Sequence, residues 1–149
     1  MNEEFVPFEL AKKLQEKGFK QKCLAYYDVE DNVGLLYNTQ YTDEALPCQY
    51  TDLLRCHNTG EAETQPDDSG FCVDAPTISQ VLKWLREEKK IHVVVDVFHD
   101  GWDTLIYTDI HTDYIGDYQY NYIDRGDLAR STYEETVLDS IEYIIDNLI

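Results

Sequence analysis

Residues 76–110, PTISQVLKWLREEKKIHVVVDVFHDGWDTLIYTDI, decide the fold. They read as a helix followed by two strands joined by a tight turn. Thr77 and Gln80 have the spacing of a capping box, with Pro76 just outside it. Ile78, Val81, Leu82 and Leu85 recur at helical spacing, and Trp84 widens the apolar stripe. Lys83, Arg86, Glu87 and Glu88 fall on the opposite side. Lys89 and Lys90 come last, where the helix dipole favours cations. The period then shortens to that of a strand. Residues 92–98 are rich in β-branched side chains, with Val93, Val95 and Val97 on one side. Asp100-Gly101 signals a two-residue turn, whose central positions favour positive φ. Residues 102–110 alternate again: Trp102, Thr104, Ile106, Thr108 and Ile110 against Asp103, Leu105, Tyr107 and Asp109.

Downstream, residues 118–123 read as a third strand, with Tyr118, Tyr120 and Tyr122 on one face and Gln119, Asn121 and Ile123 on the other. Arg125-Gly126-Asp127 breaks it, and this tripeptide is read as a chance occurrence. Residues 131–135, STYEE, offer two overlapping capping boxes. Val137, Leu138, Ile141, Ile144, Ile145 and Leu148 then form one apolar helical face. The second half, residues 76–149, is therefore expected to be an α-β-β-β-α core. Three antiparallel strands with both helices on one face would bury both stripes, a two-layer α+β solution.

Upstream, residues 7–17 read as a short amphipathic helix with Pro7 at its first position. Leu10, Ala11 and Leu14 make its stripe, and Gly18 with Phe19 fits a glycine stop backed by an apolar contact. Residues 23–28 and 33–38 read as strands around Glu30-Asp31-Asn32. Residues 1–38 thus repeat the helix–strand–strand plan, and Leu10, Ala11 and Leu14 align with Val81, Leu82 and Leu85. The identity is too low to claim a duplication. This first hairpin is expected either to extend the sheet of the second half or to pack on its tyrosine face. Residues 39–75 are expected to form a long acidic loop, with a helical turn or short strand within 46–56. Residues 61–70, EAETQPDDSG, are its least anchored part and the expected first site of proteolysis.

With 149 residues, 43% of them apolar, the chain can bury one good core, so a single domain spanning 1–149 is expected. No apolar run approaches the roughly 20 residues of a membrane span. The start, MNEEFVPFEL, is acidic and lacks a secretory apolar core. A soluble, cytoplasmic protein with reduced thiols follows as the expectation. The net charge of −18, from 30 acids against 12 bases, is the strongest compositional fact. Residues 92–149 carry 13 of the acids and only two arginines, and no lysine follows Lys90. Such a field repels phosphate backbones, so no nucleic-acid partner is expected despite the local basic patch of Lys83, Arg86, Lys89 and Lys90.

Three constellations bear on chemistry. Cys48, Cys56, His57 and Cys72, with Cys23, offer zinc-ligand types, but structural zinc sites favour two close cysteine pairs and no Cys-x-x-Cys occurs. No stoichiometric zinc and no other cofactor are expected. Asp96, His99, Asp100 and Asp103 cluster at one end of the central hairpin, and Asp109, His111 and Asp113 at the other. Such oxygen-rich groups hold divalent cations for hydrolysis in other proteins. Here the better reading is a solvated turn that uses Asp for its turn chemistry. The twelve tyrosines suit protein recognition, because the ring supplies area while the hydroxyl stays wet, or they simply cover an open sheet face. No nucleophile elbow, phosphate loop or Rossmann fingerprint is present, so no catalytic residue is assigned.

The helix start on Pro76, Thr77, Gln80, Trp84, Leu85, Arg86 and Glu87, the Ile91-His92-Val93 strand start, and the late helix through Thr132, Tyr133, Glu134, Glu135, Ile141, Glu142, Tyr143, Asn147, Leu148 and Ile149 resemble a set of small uncharacterised proteins. These occur in Bacteroides-type gut bacteria and their phages and mobile elements. The resemblance covers the second half and, loosely, the first helix. It implies a mobile-element setting and carries no activity. The α-β-β-β-α order also resembles the double-stranded RNA-binding domain. That domain's lysine-rich start to its final helix is replaced here by residues 131–135, STYEE, which argues against RNA binding.

The expectation is therefore a non-catalytic acidic protein-interaction module whose partner is a protein, a basic one being among the candidates. The alternatives are a DNA-mimic inhibitor of a nucleic-acid-binding protein and a metal-dependent hydrolase using the Asp/His cluster.

Overall fold

The central unit has the expected helix–strand–strand order, with the hairpin register shifted and its second strand longer than expected, and a third strand and a final helix complete it. The computed structural model describes residues 4–28, 34–37, 72–98, 101–112, 118–124 and 132–149, with the side chains of 37, 98, 109–112, 118–122 and 124 left aside. The chain is α+β, with three helices and two three-stranded antiparallel sheets among the described residues. The chain divides into two compact units, Met1–Thr77 and Ile78–Ile149.

In the first unit, α1 spans Phe8–Glu16 and buries Leu10, Ala11 and Leu14, the stripe expected of it. Pro7 is its N-cap and not its first helical residue, because ψ is 153° there. The segment before it is held extended: the Val6 amide donates to the Pro76 carbonyl at 3.0 Å, and Phe5 bridges to Thr77. The helix ends as the Gly18-Phe19 pair predicts. The Phe19 amide donates to the Leu14 carbonyl at 2.9 Å and the Gly18 amide to that of Gln15 at 3.1 Å, with Phe19 buried behind them. Gly18 sits at φ +85°, and a Cβ there would meet nothing within 4 Å. The cost of a side chain is thus conformational alone. Gly18→Ala should lower stability by about 1–2 kcal/mol, and Gly18→Asn by less, as read from denaturant midpoints. Equal midpoints for all three proteins would show that the left-handed residue does not matter.

Three short strands follow: β1 at Ala25–Asp28, β2 at Gly34–Tyr37 and β3 at Cys72–Ala75. Their order is β2-β1-β3, antiparallel throughout. Two expectations need correction. First, Cys72–Ala75 is a strand and not the end of a loop over 39–75. It is four residues long with Asp74 inside, too short and mixed to show a period, and it is a strand because β1 pairs with it. The rest of 39–75, including the segments 46–56 and 61–70, lies outside the described residues. Second, of the two places expected for the first hairpin, extension of the second half's sheet is not found among the described residues, since the hairpin builds a sheet of its own with β3. Ala25, Val73 and Ala75 are buried on one face of this sheet, and α1 packs on β3. The Phe8 ring meets Tyr27 edge-on at 5.5 Å, and the Tyr27 hydroxyl donates to the Val6 carbonyl at 2.7 Å.

In the second unit, α2 spans Ile78–Glu88 and buries Ile78, Val81, Trp84 and Leu85, with Lys83, Arg86, Glu87 and Glu88 exposed. The two lysines after it act on its end. Lys90 adopts φ 59°, where glycine is usual, while its ammonium donates to the Glu87 carbonyl at 2.8 Å. The Lys89 ammonium lies 5.0 Å from the centre of the Trp84 ring, whose Nε1 donates to Glu88 at 2.9 Å.

Strand β4 is His92–Phe98, β5 is Gly101–Thr112 and β6 is Tyr118–Asp124, in that order and antiparallel. Gly101 pairs with Phe98, so it opens β5 and does not belong to the turn; His99 and Asp100 lie outside the described residues. Strand β5 runs two residues beyond the expected end at Ile110. Thr108 pairs with Asn121 and His111 with Gln119, so β5 takes three steps where β6 takes two, a β-bulge.

The last helix, α3, spans Tyr133–Asn147 and is capped by Thr132, whose Oγ1 accepts from the Glu135 amide at 3.2 Å. Of the two candidate boxes, Thr132 with Glu135 supplies this cap. Helix α3 packs on β4 and β5, and α2 packs on α3 and β4. Trp102 meets Tyr133 edge-on at 5.5 Å, and Thr104 bonds Ser140 at 2.8 Å, so the face carrying Trp102, Thr104 and Ile106 lies under α3. The two units share a helix–strand–strand start, yet their third strands differ: β3 pairs with the first strand of its hairpin and β6 with the second. A simple duplication does not produce that difference. No helix among the described residues is long and apolar enough to cross a membrane.

Candidate functional site

Two polar sheet faces collect the candidate groups, one in each unit. The first is the β4–β5 face turned away from α3. Its cross-strand pairs are His92 with Tyr107, Val94 with Leu105, and Asp96 with Asp103. Asp96 is exposed and Asp103 half-buried. Each carboxylate accepts from the amide that follows it: Val97 N–H to Asp96 at 2.8 Å, and Thr104 N–H to Asp103 at 2.7 Å. Directly opposed like charges destabilise a sheet. The two local bonds orient the carboxylates without neutralising either.

Of the remaining acids and histidines of this group, His99, Asp100 and Asp113 lie outside the described residues, as do the side chains of Asp109 and His111. Of the tyrosine row, only register is described: Tyr122 stands opposite Tyr107, and Ile123 opposite the buried Ile106.

The second face belongs to the first sheet and was not singled out from the sequence. Tyr26 pairs with Asp74 and Asp28 with Cys72, so these four residues share the side opposite Ala25, Val73 and Ala75. Asp74 is fully buried, and Leu36, opposite Tyr26 on β2, is 43% exposed. The only hint in the sequence is the alternation of Cys72 and Asp74 with Val73 and Ala75, visible once those residues are known to be a strand.

Burial pushes the Tyr26 phenol above its ordinary value, and the neighbouring Cys72 and Asp28 push it further; burial alone raises Tyr27. Above pH 10.0 the unfolded chain releases these protons while the folded chain still holds them. Their stabilisation is thus complete below pH 10.0 and is lost as pH rises through the raised values. Ionisation of Tyr27 also removes the donor that bonds Val6. Urea midpoints should therefore fall more steeply on the alkaline side of pH 10.0 for the natural chain than for Tyr27→Phe. The variant should start about 0.5–1.5 kcal/mol less stable at neutral pH, having lost that bond. Parallel curves would exclude Tyr27 as a source of the alkaline loss.

Of the zinc-ligand candidates, Cys23 is a buried thiol that donates to the Gln21 carbonyl at 3.5 Å, and Cys72 is a half-buried thiol in β3. Cys48, Cys56 and His57 lie outside the described residues. Among the described residues no three His, Cys, Asp or Glu side chains are placed to hold a metal ion. No family model, no curated protein and no solved structure matches the chain.

Proposed function

We propose that the chain is a non-catalytic, acidic protein-interaction module of a phage or mobile-element setting, acting in the cytoplasm on a partner with a basic surface. The observation that carries this reading is the Asp96–Asp103 pair on a strand face of a chain with net charge −18. Opposed carboxylates cost stability in the free protein. A lysine or arginine from a partner relieves that cost on binding, and the surrounding negative field speeds encounter with such a partner.

The test is affinity capture from the host, followed by calorimetry of the captured partner against the natural chain and the Asp96→Asn/Asp103→Asn variant. Both asparagines keep the Oδ1 acceptors for Val97 and Thr104, so the sheet should fold. The variant should be more stable by up to about 1 kcal/mol and bind several-fold more weakly. Binding should also weaken as salt rises from about 50 mM to about 200 mM. Unchanged affinity in the variant would exclude this face. Should the partner be a nucleic-acid-binding protein that duplex DNA displaces, the module would be a DNA mimic.

A further inference from the structure

We draw no further inference here: the strongest candidate, the cluster of Tyr26, Asp28, Cys72 and Asp74 on the face of the first sheet opposite Ala25, Val73 and Ala75, sets a thiol and two carboxylates on one face, but it is an acidic cluster with a lone cysteine and no second observation points to a ligand there.

Discussion

Leu85→Ala and Ile141→Ala should each lower the stability of the second unit by about 2–5 kcal/mol. Both side chains are fully buried, Leu85 on α2 and Ile141 on α3, and the two helices pack on each other and on β4. The loss has two parts: the transfer free energy of the missing methyl and methylene groups, and the cavity left because neighbours relax only partly. Trp84, 2% exposed and tethered through Nε1 to Glu88, is poorly able to move into a hole beside it. Leu85→Ala is therefore expected near the upper end of the range. Leu82, only half-buried on the flank of the same stripe, should cost less. Urea unfolding followed by tryptophan fluorescence checks this, since both tryptophans lie in the second unit. A midpoint unchanged in either alanine variant would remove that helix from the core.

What the sequence made legible follows from period and from local chemistry. The stripes of α1, α2 and α3, the Gly18 stop and the Thr132 cap each depend on residues within a turn or two of one another, so they could be read without the fold. Strand β3 could not, because four residues with a central aspartate become a strand only when β1 offers its edge. The bulge in β5 likewise has no local marker. The candidate site shows the same division. Placing the turn at Asp100-Gly101 would pair Asp96 with Leu105 and Asp103 with Phe98. The observed register, one residue earlier in the turn, pairs the two aspartates instead. Either register keeps Val93, Val95 and Val97 on the side of Thr104 and Ile106. The core face was thus readable from alternation alone, and the acidic juxtaposition was not.

The hydroxyl pair under α3 gives the other large effect. Ser140 Oγ lies 2.8 Å from Thr104 Oγ1 and 2.9 Å from the Thr136 carbonyl oxygen, with Thr104 4% and Ser140 1% exposed. A serine has one hydroxyl proton. With that proton on the Thr136 carbonyl, the Thr104 hydroxyl donates to Ser140, and both groups are satisfied without water. Ser140→Ala strips a buried threonine hydroxyl of its partner and should cost about 1–3 kcal/mol. The better helix propensity of alanine returns only about 0.5 kcal/mol of this. Thr104→Val keeps the shape and leaves Ser140 its bond to Thr136, so it should cost less. In the Thr104→Val background, Ser140→Ala should be nearly neutral, a coupling of about 0.5–3 kcal/mol in a double-mutant cycle. The same pair selects a register. Sliding α3 by one turn along β5 would set Thr104 against Thr136, whose hydroxyl already donates to the Thr132 carbonyl at 2.8 Å, or against the apolar Ile144. The double variant should therefore keep most of its stability yet broaden the β5 amide resonances as alternative registers become populated. If Ser140→Ala costs the same in both backgrounds, the two hydroxyls do not act together and α3 is positioned by Trp102, Ile106 and its apolar face alone.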